Sequence, residues 1–346
     1  MNIPTAIPHP DSQQHELASQ RQQQLIKPAG ALGRLEDLAC WFAARQGRTI
    51  PHALTPAIIV FAADHGVAAQ GVSAYPSAVT RAMLNSLANG QAAIAVLARN
   101  LSALYFVVDV GVASDAAAPT DVHVERIALG TQDLSVQAAM TVAQAEQALA
   151  IGVRYASQAI ARGADLMIAG EVGIGNTTSA ACLIAALTQL DPAMIVGSGT
   201  GLDAKGRAHK LGVVKRALAR VNVQSLTPLQ LLSELGGFEI AAMTGCYLQA
   251  ARMGVPILLD GFISTAAALL TCQMESLARE WMLAAHQSAE LGHALALEHL
   301  QLKPLLNCGM RLGEGSGAAL AVPLLQAALT LHREMATFAE AGVPNA

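Results

Sequence analysis

The stretch Ala57 to Gly66, AIIVFAADHG, sets seven apolar residues in unbroken succession and then closes on an acid, a histidine and a glycine. An antiparallel strand with one wet face alternates apolar and polar residues. A continuous run of this length marks a strand buried on both faces, as in a parallel sheet covered by helices. The form recurs as ALYFVVDVG (103–111), ADLMIAGEVG (164–173), AMIVGSGTG (193–201) and VPILLDGF (255–262), with helix-like segments between. Five strand candidates alternating with helices predict an α/β fold, a parallel Rossmann-like three-layer sheet. Ligands of such sheets sit outside the carboxyl ends of the strands. That directs attention to Asp64-His65-Gly66, Asp109, Glu171 to Gly173, Gly197 to Gly201, and Asp260-Gly261.

The 346 residues exceed one average domain. Residues 12–24 (SQQHELASQRQQQ) are polar and helix-prone, and a Pro/Gly break, KPAGALGRLE (27–36), follows them. Beyond residue 275 the pattern turns helical (ESLAREWMLAAHQSAELGHALALEHL, 275–300). The expected organisation is a large α/β domain over 30–275, extended by 305–346, and a small helical domain from 1–29 plus 276–304. With 53% hydrophobic, 13% charged and 3% aromatic residues, the core is built of small aliphatic side chains. So little charge implies hidden surface, which an oligomer would supply.

The composition also excludes classes. A net charge of −4 without a basic cluster gives no footprint for nucleic acid. The longest apolar segment, Gly315 to Leu331, contains Gly, Pro and Gln and runs into His332-Arg333-Glu334, so it reads as a core helix and no membrane span is expected. The first twenty residues lack an apolar signal core, and five scattered cysteines lack metal or disulfide spacing; both predict a cytoplasmic protein with reduced thiols. ADHG has one histidine beside one acid and no HExxH accompanies it, so no metal is expected and the pair reads as a hydrogen-bonded strand-end turn.

Three stretches carry chemistry. GEVGIGNTTSAA (170–181) and GSGTGLD (197–203) are glycine-rich turns leading into helices, where bare N–H groups and the helix dipole favour an anion. Thr177, Thr178 and Ser198 equally suit plain capping. Neither stretch fits GxxxxGK[ST] or the dinucleotide fingerprint. Lys210, in AHKLGVVKRAL (208–218), could close on a phosphate or lie on a solvated helix face. In MRLGEGSGAALAVPLLQ (310–326), Glu314 stands among glycines before an apolar helix. It fits a dipole partner in the helix's first turn, or a general base whose pKa is raised by an apolar wall and whose glycines admit a planar ligand.

Six motifs in order, LIKPAGALGRLEDLA, AADHGVAAQGVSAYP, GEVGIGNTTSAA, LGGFEIAAMTG, VPILLDGF and MRLGEGSGAAL, resemble the nicotinate-nucleotide:dimethylbenzimidazole phosphoribosyltransferases of cobalamin synthesis, from about residue 25 to the end. The resemblance implies transfer of the 5-phosphoribosyl group from nicotinate mononucleotide to 5,6-dimethylbenzimidazole, with inversion at C1' and no metal or other cofactor. It implies a homodimer with a parallel α/β domain and a small helical one. It makes Glu314 the catalytic base and Glu171 a second active-site carboxylate. Gly173, Asn176, Thr177 and Lys210 fall at the ribose phosphate, and Ser288 at a serine lent by the partner subunit. Gly313 and Gly315 border the ring slot. Tyr75 and Met83 fall in the base pocket, where some members carry Ser and Gln, which leaves the native base open. Two rival classes remain: a nucleotide-binding module in which Glu314 only caps its helix, and a hydrolase in which it activates water.

Overall fold

The computed structural model describes residues 5–344. Six strands form one sheet: β1 (Pro56–Ala63), β2 (Leu104–Gly111), β3 (Val122–Val124), β4 (Leu166–Val172), β5 (Ile257–Leu259) and β6 (Met282–Ala284). Their order is β3-β2-β1-β4-β5-β6 and every pairing is parallel. This is the doubly wound order, in which the chain leaves the centre in both directions. The switch of direction falls between β1 and β4, so the carboxyl ends of those two strands flank the natural ligand crevice.

The helices, in chain order, are α1 (Ser12–Gln24), α2 (Arg34–Gln46), α3 (Ala78–Ala88), α4 (Ala93–Asn100), α5 (Val142–Ala161), α6 (Asn176–Thr188), α7 (Pro192–Ile195), α8 (Ala204–Ala219), α9 (Pro228–Leu235), α10 (Phe238–Arg252), α11 (Phe262–Met274), α12 (His293–His299), α13 (Ser316–Glu334) and α14 (Phe338–Ala341). The uninterrupted apolar runs explain the layering. Along β1, Ala57, Ile59, Phe61 and Ala63 join one core with α5, α6, α10 and α11, while Ile58, Val60 and Ala62 join the opposite core with α2, α4 and α13. Successive side chains on a strand point to opposite faces, and here both faces are dry. α10 lies against the sheet and under α5, and its residues from Phe238 to Ala251 are all buried. The approach is close: a Cβ on Gly152 would lie 1.8 Å from the Ala242 carbonyl oxygen.

Two sequence expectations change. AMIVGSGTG is not a strand: Asp191 caps a single helical turn, α7, by accepting the Ala193 N–H at 2.9 Å, with Pro192 at the first helical position, and Gly199 and Gly201 then turn the chain. The segment after 275 is not wholly helical. Residues Met282–Ala284 pair with β5 and extend the sheet, too briefly for an apolar run to stand out. The helix that follows, α12, packs on α11 and α6, and α1 packs on α2. Trp281 donates its indole N–H to Pro8 at 2.9 Å, a link between the two segments expected to form the small helical domain. The expected core helix is α13, and no helix among the described residues is long and apolar enough to cross a membrane. All five cysteines are free.

Candidate active site

At the carboxyl ends of β4, β5 and β6 lies a cleft of about 290 Å³. Its walls include Glu171, Gly173, Asn176, Thr177, Ser288, Gly313 and Glu314, with Tyr75 and Met83 toward the mouth. A larger groove of about 490 Å³, formed by α6, α8, α9 and α11, has no titratable side chain in its lining, so size does not locate the chemistry.

β4 delivers Glu171 to the cleft. The chain then turns through Gly173 and Gly175, the latter left-handed at φ +99°, into α6, which no side chain caps. The Ile174 N–H donates to Thr80 Oγ1 on α3 at 3.1 Å, and Asn176 Nδ2 donates to Glu171 Oε2. Behind this turn His65 Nε2 and Glu239 Oε1 lie 2.7 Å apart, both fully buried. The ADHG motif is therefore an anchor for the loop; among the described residues no group of three or more His, Cys, Asp and Glu could hold a metal.

Lys210, on α8, is only 1% exposed and donates to Thr177 Oγ1 at 2.7 Å. That rules out the solvated face. No carboxylate among the described residues forms an ion pair with it, and burial brings its pKa down to about 8, against a smaller raising effect of the Glu290 charge. A buried cation with no carboxylate bonded to it, and only the more distant Glu290 charge to offset it, is costly, and such a position suits an anionic ligand. Gly199, whose Cβ would stand 2.9 Å from Lys210 Nζ, closes this end. Arg311 Nη1 donates to the Gly199 carbonyl at 3.0 Å, and the Ala74 N–H donates to Thr200 Oγ1 at 2.9 Å. These bonds tie the rim loops together.

Glu314 stands at the other end, and its backbone is left-handed at φ +64° between Gly313 (+85°) and Gly315 (+91°). A non-glycine residue held so is strained and persists only where its surroundings impose it. One constraint is Gly170, where a Cβ would lie 2.0 Å from the Glu314 carbonyl oxygen. The second is Asp260, at the end of β5, which accepts the Gly315 N–H at 3.2 Å and the Ala318 N–H at 2.9 Å. Asp260 thus caps α13, and Glu314 does not. Glu314 precedes the helix's N-cap, and its Oε2 accepts the Ile94 N–H of α4 at 3.3 Å. The dipole-partner reading in its own helix is overturned.

The glycines also divide differently from expectation. Gly313 lines the cleft, but Gly315 packs against Ile168 and Gly170, and Gly317 against the His286 ring. Only Gly313 can face a ring; the others serve the turn and the packing. Ser288 lies in the cleft of its own chain, with no second subunit needed to bring it there.

Burial raises the carboxylates of the cleft, and neighbouring charge adds to it for Glu171 and Glu314. Burial pushes Glu171 well above the ordinary carboxylate range, and the charges of Glu239, Asp260 and Glu314 push further, against the Asn176 hydrogen bond. Glu314 is raised by burial and by Asp260, and lowered by the Ile94 hydrogen bond. Asp260 is itself raised by burial, with His286 and the α13 N–H groups opposing. A carboxylate so placed is a stronger proton acceptor than an exposed one. His286, Glu290 and Arg311 also line the cleft and were missed from sequence. The alternation of His286, Ser288 and Glu290 along one segment was the signal that could have found two of them.

A doubly wound sheet with a raised carboxylate in a strand-end cleft and a buried ammonium behind Thr177 of its wall suits an enzyme for a phosphorylated small molecule. The chain belongs to the phosphoribosyltransferase family, whose model (DBI_PRT) matches residues 7–343. It is 56% identical over 326 residues to the nicotinate-nucleotide–dimethylbenzimidazole phosphoribosyltransferase of Chromobacterium violaceum, covering 94% of each chain. It is 52% identical over 331 residues to that of Azotobacter vinelandii, covering 95% of this chain and 94% of the other. The crystal structure of nicotinate-nucleotide–dimethylbenzimidazole phosphoribosyltransferase from Thermus thermophilus superposes with a TM-score of 0.92 at 44% identity, over 97% of this chain and all of the other.

Proposed function

We propose that this enzyme transfers the 5-phosphoribosyl group of nicotinate mononucleotide to 5,6-dimethylbenzimidazole or a related base, giving α-ribazole 5'-phosphate and nicotinate for the cobalamin nucleotide loop. The observation that carries the reading is the polarity of the cleft. Lys210 with Thr177 offers a phosphate site at one end, and Glu314 offers a proton acceptor at the other. Named relatives at 50–56% identity support the same chemistry.

In this reading Lys210, Thr177, Ser288 and the N-terminus of α6 bind the phosphate, and Gly173 and Asn176 shape the loop beside the ribose. Nicotinate bonded through its ring nitrogen is cationic and leaves without acid assistance. What the protein adds is alignment of the two rings about C1' and a base. The incoming ring nitrogen forms its bond to C1' on the face opposite nicotinate, and Glu314 takes the proton from the other ring nitrogen. The transition state has oxocarbenium character, and the Glu171–Glu314 end of the cleft favours the positive charge that develops there. Tyr75, 56% exposed at the rim, Met83 and Val79 supply an aromatic and apolar wall for the incoming base.

The test is incubation with nicotinate mononucleotide, with and without dimethylbenzimidazole, reading nicotinate. Release that depends on the base supports transfer. Release without it would make the protein a hydrolase, and no release a binding module. A homodimer in the cytoplasm belongs to the same proposal. Exposed Met194 and Leu291, on adjoining segments beside Ser288, offer apolar surface to a second copy, and five free thiols suit a reducing compartment. Sedimentation would test the first point.

A further inference from the structure

Glu290 is a buried acid in the cleft that the mechanism above leaves idle. It is 7% exposed, it lines the cleft, and its Oε2 has no hydrogen-bond partner. A carboxylate oxygen removed from water and left unsatisfied costs on the order of 1–3 kcal/mol or more, so a structure retains one where something arrives to satisfy it. Its location is well defined. His286, Ser288 and Glu290 alternate along one segment and all three line the cleft, and Glu290 Oε2 lies only 2.0 Å from where a Cβ on Gly197 would stand. It therefore sits at the Lys210 end of the cleft, away from Glu314, yet it forms no ion pair with Lys210.

The donors on the substrates settle what could fill that position. This step rests on the proposed phosphoribosyl transfer. At neutral pH nicotinate mononucleotide carries a phosphate and a carboxylate, which accept, and just two donors, the ribose 2'- and 3'-hydroxyls. The benzimidazole carries one N–H, which belongs to Glu314. A phosphate cannot satisfy a carboxylate, and it would repel one. Of the two hydroxyls, the 3'-hydroxyl is on the phosphate side of the sugar, next to C4' and the 5'-phosphate arm. The 2'-hydroxyl is beside C1', which the proposed reaction puts toward Glu314, and at that end Glu171 borders Gly313 and is available to it. We propose that Glu290 is a specificity-determining residue that accepts a hydrogen bond from the ribose 3'-hydroxyl.

The experiment is calorimetric titration of the full-length enzyme with nicotinate mononucleotide and with its 3'-deoxy and 2'-deoxy analogues, using wild type, Glu290→Gln and Glu290→Ala. Wild type should bind the parent nucleotide about 10- to 100-fold more tightly than the 3'-deoxy analogue, the worth of a hydrogen bond to a charged acceptor. Glu290→Ala should collapse that ratio toward one, with 3'-deoxy binding nearly unchanged, and the amide of Glu290→Gln should retain part of it. The 2'-deoxy ratio should persist in both. Because each ratio is internal to one protein, loss of folded material does not imitate the result. If Glu290→Ala weakens parent and 3'-deoxy nucleotides equally, Glu290 acts only through Lys210 and the proposal is wrong. It is equally wrong if wild type does not distinguish them. Failure of the transfer reading looks different: wild type would bind the nucleotide and release no nicotinate when base is added.

Discussion

α6 and α13 begin alike and end up as electrical opposites. Both follow a glycine-flanked acid, GEVGIGN before α6 and GEGS before α13, and both have a left-handed glycine as N-cap with no capping side chain of its own. At α13 the buried Asp260 has taken the first N–H groups, those of Gly315 and Ala318. At α6 no acid is bonded to the backbone of the first turn among the described residues: Glu171 takes only the side-chain amide of Asn176, and the Lys210 ammonium bonds Thr177. One helix start is therefore left free for the proposed phosphate, and the other has been neutralised from within. The neutralised end is the one beside Glu314. There an open anion site would draw the phosphate to the wrong place, and Glu314 would be held as a cap and lost as a base.

The largest expected effect comes from removing the acceptor. Glu314→Gln should lower kcat by about 10²–10⁴, the range of general-base catalysis, with Tm unchanged because α13 keeps its Asp260 cap. Near-wild-type turnover would return Glu314 to a structural role. Next is the open end. Lys210→Ala should raise the nucleotide KM by about 10- to 100-fold through loss of a charge-assisted contact, with kcat less affected. The sign of its pH dependence follows from burial. Lys210 titrates near 8, its charged form binds phosphate, and so kcat/KM should fall as pH rises through about 8. That alkaline limb should vanish in Lys210→Ala. On the acid side, the raised carboxyls Glu314 and Glu171 place the fall in kcat/KM above the usual carboxylate range as pH drops.

Asp260→Asn tests the neutralisation itself. An amide oxygen accepts one N–H where the carboxylate accepts two, so stability should drop by about 1–2 kcal/mol, the worth of a helix cap, read as a lower Tm. Because the Asp260 charge holds the Glu314 pKa up, its removal should move the acid limb of kcat/KM to lower pH. A lower Tm with an unmoved limb would make Asp260 a cap and nothing more.

How much of this was legible in sequence depends on where the information resides. Long buried strands announce themselves, because β1, β2 and β4 are covered on both faces and read as nearly continuous apolar runs. β3, β5 and β6 have three residues each, too few for periodicity, and β6 hid inside an apparently helical segment. The phosphate-type turn was visible as glycines, and Glu314 was visible as a lone acid. The capping of α13 was not, because Asp260 acts across 55 residues of sequence and a cap is ordinarily sought within a few. The local sequence left Lys210 open between a phosphate contact and a solvated face, since only the packing of α8 against α6 reveals that its ammonium is buried.

The smallest expected effect concerns the mouth of the cleft, where neither helix start reaches. Met83 lines it from α3 with an apolar side chain, opposite the loop that carries Leu312 and Gly313. Met83→Gln keeps the length and adds an amide, so it should favour bases that can hydrogen-bond at their edge over those bearing methyl groups. A methyl in an apolar pocket is worth about 1–3 kcal/mol at most, so the ratio of kcat/KM for dimethylbenzimidazole over unsubstituted benzimidazole should fall by tenfold or less. The nucleotide KM should stay constant, because the phosphate end is untouched. If the nucleotide KM moved as much as the base ratio, the two ends of the cleft would not be separable, and the division of labour between the α6 and α13 starts would fail with them.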